Sequence, residues 1–304
     1  MRARTDSVTL KLLMSTLSLA SRFRLFGLVI VLLGSACGDD GGTKADGGPS
    51  ADLGGADAGP ADAFASDAFV EPPTHLASTA NYSPTGELSI DRPSESAEGD
   101  LLVLFLSRTD DLLPLRLEGW SAVTSCLKSN NTQLTCLSEA DCTEMDGDYC
   151  LTFGDSGTGR DLASAVFTRV VGPTEAASYG WSLRGVAPSW AILSAVRGVD
   201  PADPIRDSAA TSHDADPNSL FPSAAAEVGD LLLLSQAFDD TAAEDAFLPP
   251  AGMALLRWIA GADEAGYVFG ASLTESGPTG ERETRGVGGP NAKDLMITVV
   301  VAGR

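Results

Sequence analysis

Five cysteines are the residues of this chain whose chemistry can be judged first. Cys37 follows a basic flank at 22–24, an apolar run at 25–33 and small residues at 34–36. A basic segment, a short apolar segment and a small-residue cleavage site make a secretory signal. The apolar run is also shorter than the roughly 20 residues that span a bilayer. The sequence therefore predicts an exported chain with residues 1–36 as its signal peptide.

The stretch Leu33-Gly34-Ser35-Ala36-Cys37 resembles the lipobox of bacterial lipoproteins. That family is cleaved just before its cysteine, whose sulfur carries a diacylglycerol, so the resemblance implies lipidation of Cys37. Gly34 stands where the family usually has leucine. Each buried CH₂ contributes about 0.8 kcal/mol and one acyl chain anchors only marginally, so two or three chains would hold the protein stably. The alternatives are an ordinary signal peptide with an incidental cysteine, or a membrane-spanning anchor.

The other four cysteines lie in a segment, 125–155, that has no counterpart later in the chain. They are Cys126, Cys136, Cys142 and Cys150. An even number in an exported chain predicts two disulfides, with three pairings open. Local closure favours Cys126–Cys136 and Cys142–Cys150, and the interlocked pairings are the alternatives. A four-cysteine zinc site is disfavoured because the spacing contains no C-x₂-C pair.

Asp146 and Asp148 are the carboxylates of this insertion that come nearest to a Ca²⁺ site, since Ca²⁺ takes oxygen ligands. The segment lacks the twelve-residue spacing and the final glutamate of an EF-hand loop. We therefore favour a solvated acidic loop, and we expect neither a metal nor a cofactor.

One serine motif in the chain could indicate catalysis. Gly154-Asp155-Ser156-Gly157 resembles the serine motif of chymotrypsin-like proteases, and such a serine needs a general base within hydrogen-bond reach. The only histidines are His75, at the end of a linker, and His213, which follows the serine, whereas that family has its histidine before it. The sequence therefore predicts a protein that is not an enzyme, with a secreted hydrolase as the weaker alternative.

Large aromatic residues offer a third kind of chemistry, the stacking of sugar rings. The candidates are Trp120, Trp181, Trp190, Trp258, Tyr82, Tyr149, Tyr179 and Tyr267. Aromatic residues are only 6% of the chain, and large ones in β-sandwiches usually pack in the core. A glycan site is therefore an alternative and not the first expectation.

The charge of the chain excludes some partners. The net charge is −22, and loss of the five basic residues and one acidic residue in 1–36 makes it −26. Nucleic acids and anionic lipids need clustered Lys and Arg, so neither is expected to bind. The segment 38–74 holds eight acidic residues against Lys44 and few large apolar ones. Such a composition does not repay the entropy of folding, which predicts a disordered, extended tether over 37–74.

From His75 onward, short apolar runs alternate with Gly, Pro, Asp and Ser, which is typical of strands and turns. The runs cover 101–106, 162–171, 179–183, 190–199, 231–238, 267–273 and 295–301. They predict an all-β domain over 75–304, built as a two-sheet β-sandwich. The texture is similar to the β-sandwich domains of bacterial surface proteins and phage tail fibres, through motifs such as Gly99-Asp100-Leu101-Leu102-Val103 and Gly119-Trp120. That likeness implies recognition or adhesion.

The domain also repeats itself. The stretch 97–102 (AEGDLL) is matched by 227–232 (EVGDLL). Four more features follow in the same order: an Asp-rich turn, a Gly with a Trp (Gly119-Trp120, and Gly252 with Trp258), an apolar triplet, and a Gly-Pro-Thr (172–174 and 277–279) before a last strong strand. This order predicts two halves related by a pseudo-twofold, with interleaved strands as in a jelly roll.

Together these observations predict a membrane-anchored bacterial surface lipoprotein in the cell envelope, at the outer membrane or the cell surface. Its β-sandwich would be a non-enzymatic binding or structural module, and a carbohydrate-binding adhesin is the alternative. The expected partners are the bilayer, through acylated Cys37, and a glycan or a surface protein.

Overall fold

Antiparallel strands account for all the regular secondary structure in the described part of the chain, which contains no helix. The computed structural model describes residues 71–109, 113–114, 116–129, 134–135, 145–146, 149–150, 162–214, 219–240, 246–262, 264–286 and 293–304. All of them belong to one unit, Ala63–Arg304. Cys37, the tether up to residue 70 and the motif 154–157 lie outside the described residues.

The first half of the domain forms one large sheet and two small ones. Its strands are β1 Thr74–Ser83, β2 Glu87–Asp91, β3 Leu101–Arg108, β4 Leu113–Pro114, β5 Ser121–Ser129, β6 Leu134–Thr135, β7 Met145–Asp146, β8 Tyr149–Cys150, β9 Leu162–Val170, β10 Ser178–Ser182 and β11 Ser189–Arg197. The large sheet has the order β1-β11-β3-β9-β5-β6. The pair β10-β2 and the trio β4-β8-β7 form the small sheets.

The second half forms a large sheet of its own and three short strand pairs. Its strands are β12 Ile205–Asp214, β13 Leu220–Phe221, β14 Ala225–Ala226, β15 Leu231–Phe238, β16 Phe247–Leu248, β17 Ala254–Ala260, β18 Ala265–Ser272, β19 Gly277–Pro278, β20 Arg282–Glu283, β21 Arg285–Gly286 and β22 Lys293–Val301. The large sheet has the order β12-β22-β15-β18-β17, and the pairs are β13-β20, β14-β19 and β16-β21.

The two large sheets repeat one topology, which confirms the β-sandwich with pseudo-twofold halves. If the five long strands of each half are counted along the chain, both sheets have the order first, fifth, second, fourth, third. The irregularities repeat as well. The third strand shifts register near Val123 in one half and near Leu256 in the other, and the first strand shifts near Leu76 and Arg206.

The core has three layers, because each large sheet is covered on both faces. A central layer between the two sheets includes Phe105, Trp190 and Val268. The outer face of the first sheet packs under β2 and β10, and the outer face of the second packs under the short strand pairs. Strands buried on both faces favour apolar residues on both, which is why β3 begins with six consecutive apolar residues and β15 with four.

The halves are not interleaved, which corrects the jelly-roll-like strand arrangement expected from the sequence. Among the described strands, every pairing between the ten long strands stays within one half, and the halves meet face to face through the central layer. The first strand of each half lies against the third strand of the other, β1 against β17 and β12 against β5. The inner face of each large sheet is therefore buried against the inner face of the other large sheet.

The Gly-Asp turns before β3 and β15 are also built alike. Gly99 and Gly229 have φ of 86° and 89°, a conformation that glycine adopts without a Cβ clash. In each turn the aspartate carboxylate, Asp100 or Asp230, accepts the N–H of the residue three positions earlier at 2.7 Å. Both carboxylates are buried, so the repeated motif is a structural turn around a buried charge.

Each of these carboxylates is held by an arginine of its own half. Arg197 donates from Nε and Nη2 to the two Asp100 oxygens at 2.9 and 2.8 Å. Arg206 donates from the same atoms to Asp230 at 2.6 and 3.2 Å. Arg197 ends the fifth strand of its half, whereas Arg206 lies in the first strand, which is the neighbour of the fifth. The two halves thus pair equivalent buried aspartates with arginines from different strands, which are neighbours in the sheet.

The chain enters the domain at the end that carries these turns. A Cβ at Gly198 would lie 3.0 Å from the Pro72 carbonyl oxygen, and one at Gly303 would lie 3.1 Å from Pro73 Cδ. Pro72 and Pro73 therefore pack against the ends of the two halves, at positions where Gly198 and Gly303 have no side chain. The cysteine-containing insertion joins β5 to β9, which pair at Ser129 and Leu162 at the opposite end.

Candidate functional site

The structure separates the aromatic residues proposed from the sequence into core and surface. Trp190 and Tyr267 are 1% and 0% exposed, so they belong to the core and cannot contact a ligand. Tyr82 and Trp258 are half-buried in different layers of the fold. The side chain of Tyr149 lies outside the described residues. Only the remaining three come together.

Trp120, Tyr179 and Trp181 form an aromatic patch on the outer side of the first sheet. Their ring centroids lie 5.2 Å (Trp120–Tyr179), 6.0 Å (Trp120–Trp181) and 6.2 Å (Tyr179–Trp181) apart. Trp120 meets the other two edge-on, and Tyr179 and Trp181 are stacked. Tyr179 is buried, whereas both tryptophans are half-buried and present part of each ring to solvent.

Local structure explains why these three rings meet. Tyr179 and Trp181 alternate with Gly180 along β10, so both side chains lie on the same face of that strand. Trp120 is placed just before β5 by a turn in which its N–H donates to the Leu117 carbonyl at 3.0 Å. Gly119 within that turn has φ of 75° and leaves space for an arginine side chain.

That arginine is Arg169, and it joins the two loops on which the aromatic patch depends. Its Nη1 donates to the Gly119 carbonyl at 3.0 Å, and its Nη2 pairs with Glu175 Oε1 at 3.0 Å. The other oxygen of Glu175 accepts the Gly172 N–H at 3.1 Å. Arg169 thus ties the turn before β5 to the turn after β9, and so holds Trp120 beside Tyr179.

The electrostatics of the patch keep Glu175 ionised and Tyr179 neutral. Burial opposes ionisation of Glu175, but the Gly172 N–H and the Arg169 guanidinium outweigh it and lower the pKa of this carboxyl. Burial, and then the charge of Glu175, raise the pKa of Tyr179 to about 12. At neutral pH the patch therefore has one ion pair, a neutral tyrosine and two half-exposed indoles.

Such an arrangement can bind, because an indole face packs against the apolar face of a sugar ring while polar groups beside it contact hydroxyls. The Arg169 side chain is 31% exposed and supplies the donors. Arg169 and Glu175 were not identified as site residues from the sequence. The available signal was an arginine near the end of a largely apolar strand followed, six residues later, by a glutamate in a Gly-Pro turn.

The other residues proposed from the sequence do not join this patch. His75 lies in β1, where its Nε2 is 2.8 Å from Ser78 Oγ, and burial lowers its pKa. His213 pairs through its backbone with Asp294, and its side chain lies outside the described residues. The same is true of the side chains of Cys126, Cys136, Cys142, Cys150 and Asp146, and of Asp148 and Ser156 altogether. The disulfide and Ca²⁺ hypotheses therefore stay predictions.

The described residues contain neither a metal-binding cluster nor a membrane-spanning helix. No group of three or more His, Cys, Asp or Glu residues there is placed to hold a metal ion. No helix in that part of the chain is long and apolar enough to cross a membrane. No family model, curated protein or solved structure matches this chain.

Proposed function

We propose that this protein is a bacterial surface lipoprotein, held in the cell envelope by acylated Cys37, whose duplicated β-sandwich is a non-enzymatic binding module. The support for the anchor is the lipobox-like stretch 33–37 and the acidic segment that follows it. The support for display is the way the chain enters the domain. Pro72 and Pro73 pack at one end, so the tether would join the domain at the end opposite Ser129 and Leu162, where β5 and β9 pair.

The observation that carries the binding function is the aromatic patch. Trp120 and Trp181 are half-exposed beside a buried tyrosine and the Arg169–Glu175 ion pair. Partly exposed indoles stabilise the fold less than fully buried ones, because less of their apolar surface is removed from water. Their arrangement suits a sugar ring, and it favours the carbohydrate-binding alternative over a purely structural role.

The anchor is tested by the intact mass of protein extracted from membranes, measured with and without reduction and alkylation. We expect a chain that begins at Cys37 and carries the added mass of two or three acyl chains. Four further thiols should react only after reduction. An unlipidated chain, or four thiols that are free without reduction, would contradict the proposed compartment and anchor.

The binding function is tested by a Trp181→Ala variant on a broad glycan array. Loss of one stacking indole is expected to weaken binding of the glycan recognised by the wild-type protein about ten-fold. Trp258→Ala removes a similarly half-buried tryptophan from the second half and should leave binding intact. Circular dichroism of both variants checks the fold. If no glycan binds the wild-type protein, the module is structural and the patch is not a sugar site.

A further inference from the structure

A polar groove of about 510 Å³ lies at the β1 edge of the first sheet, between β1, β2 and β17. It is lined by Ser78, Thr79, Ala80, Asn81, Ser89, Asp91 and Arg257. Its volume is within the range of about 300–1,000 Å³ that small-ligand sites occupy. Six of its seven lining residues are polar, so it suits a ligand rich in hydroxyl and charged groups rather than an apolar one.

The wall of the groove on the first half is fixed by hydrogen bonds. Thr79 Oγ1 donates to the Asp91 carbonyl at 2.5 Å, and Asn81 Nδ2 donates to the Ser89 carbonyl. Side chains of β1 thereby satisfy the free edge of β2, which leaves the carboxylate of Asp91 directed to solvent. A ligand would therefore meet side chains that are already ordered, which lowers the entropic cost of binding.

The other wall carries Arg257, from β17 of the second half. Within the described residues this exposed guanidinium has neither an ion pair nor a hydrogen bond. By contrast, Arg169, Arg197, Arg206 and Arg285 each hold a carboxylate. In a chain of net charge −22, the Arg257 charge is thus available to a ligand in a groove that Asp91 also lines.

The fold itself does not require an arginine at this position. Arg257 follows the register shift of β17, and the matching position after the shift of β5 is Thr124. Two copies of one topology thus differ here, while they agree in the buried Gly-Asp turns. The Arg257 guanidinium is therefore not part of what the repeated fold needs, and it is exposed to pair with a ligand.

We propose that this groove is a second binding site, which takes an acidic saccharide. Arg257 pairs with the sugar carboxylate through two parallel hydrogen bonds, because the guanidinium matches a carboxylate in shape and charge. Asp91 and the amide and hydroxyl groups of β1 take the sugar hydroxyls. A single negative charge fits better than a phosphate, since the Asp91 carboxylate shares the groove and would repel a dianion more strongly. The groove uses the β1 side of β2, whereas the aromatic patch uses β10 on the other side of that strand.

The test is calorimetric titration of the folded protein with glucuronate oligosaccharides, glucose oligosaccharides of the same length, and glucose phosphates. We expect binding of the glucuronate series only, weakening as salt is added. Arg257→Gln should weaken it about ten-fold or more, whereas Arg285→Gln removes an exposed charge elsewhere and should not change it.

The proposal would be overturned by equal binding of neutral oligosaccharides that persists in Trp181→Ala, by tighter binding of the phosphates, or by no effect of Arg257→Gln. Absence of any glucuronate binding would do the same. Trp181→Ala separates this site from the aromatic patch. It should leave glucuronate binding unchanged, and its loss in that variant would mean that one site serves both ligands.

Discussion

Replacing Asp230 with alanine is expected to lower the free energy of unfolding by about 3 kcal/mol. The Asp230 carboxylate is 1% exposed and accepts two hydrogen bonds from Arg206, together with the N–H groups of Glu227 and Gly303. The substitution leaves those backbone donors without their acceptor. This loss of stability is at the lower end of the range for a broken buried ion pair, because Arg206 is partly exposed and still pairs with Glu227 Oε2 at 3.0 Å. Guanidinium denaturation of the purified protein measures the loss.

The pseudo-twofold supplies matched comparisons for this experiment. Asp100→Ala removes the same turn carboxylate from the other half, but Asp100 has no counterpart of the Gly303 contact and its Arg197 is more exposed, so a smaller loss is expected. Glu98→Gln alters an exposed carboxylate in the same turn and should change stability by less than about 0.5 kcal/mol. If Asp230→Ala costs no more than Glu98→Gln, the buried pair does not stabilise the fold.

The strands could be predicted from the sequence because this architecture gives them an unusually clear signal. Both faces of β3 and β15 are buried, so every residue from Leu101 to Leu106 is apolar and the runs stand out from the polar turns. The repeat was also visible, since Gly99-Asp100 and Gly229-Asp230 do occupy equivalent positions, as do Gly119 and Gly252.

Other parts of the repeat were matched wrongly from the sequence, because the same residue types recur at positions that are not equivalent in the strand pairing. The turn after β9 aligns Val171 with Leu273, so Gly172 corresponds to Thr274 and the two Gly-Pro-Thr stretches are not equivalent. Trp120 corresponds to Met253, and Trp258 lies within β17. Strand pairing determines these equivalences, and composition does not contain it.

The aromatic patch could be predicted only as a list of residue types. Trp120 and Tyr179 are far apart in the chain and meet because β5 pairs with β9 while β10 folds back over the first sheet. The same pairing decides that Trp190, equally promising in the sequence, lies in the central layer. An aromatic residue stacks on a ligand or fills the core depending on which face of its strand it lies on. The apolar runs around these residues are too short and irregular to show which face that is.

The second large loss of stability is expected at Trp190, in the contact between the two halves. Its indole is 1% exposed in the central layer, where it packs against Gly266 of the facing sheet. A Cβ at Gly266 would lie 2.4 Å from Trp190 Cζ2, well inside van der Waals contact, so the glycine is what allows the sheets to approach there. Trp190→Ala is expected to cost about 3–5 kcal/mol, through lost burial and a cavity.

Gly266→Ala alone is expected to cost about 1–3 kcal/mol, since the added methyl forces the indole out of its place. Combined with Trp190→Ala, the same methyl enters the space that the indole has left, so the double variant should be more stable than the sum of the single losses predicts, by about 1 kcal/mol or more. Gly180→Ala is the matched control, because its Cβ would approach nothing closer than 3.9 Å. Denaturation midpoints of the four proteins measure this coupling. Strict additivity would mean that the halves are not held together through this contact, and that the duplicated sheets associate by general apolar burial rather than by this fitted pair.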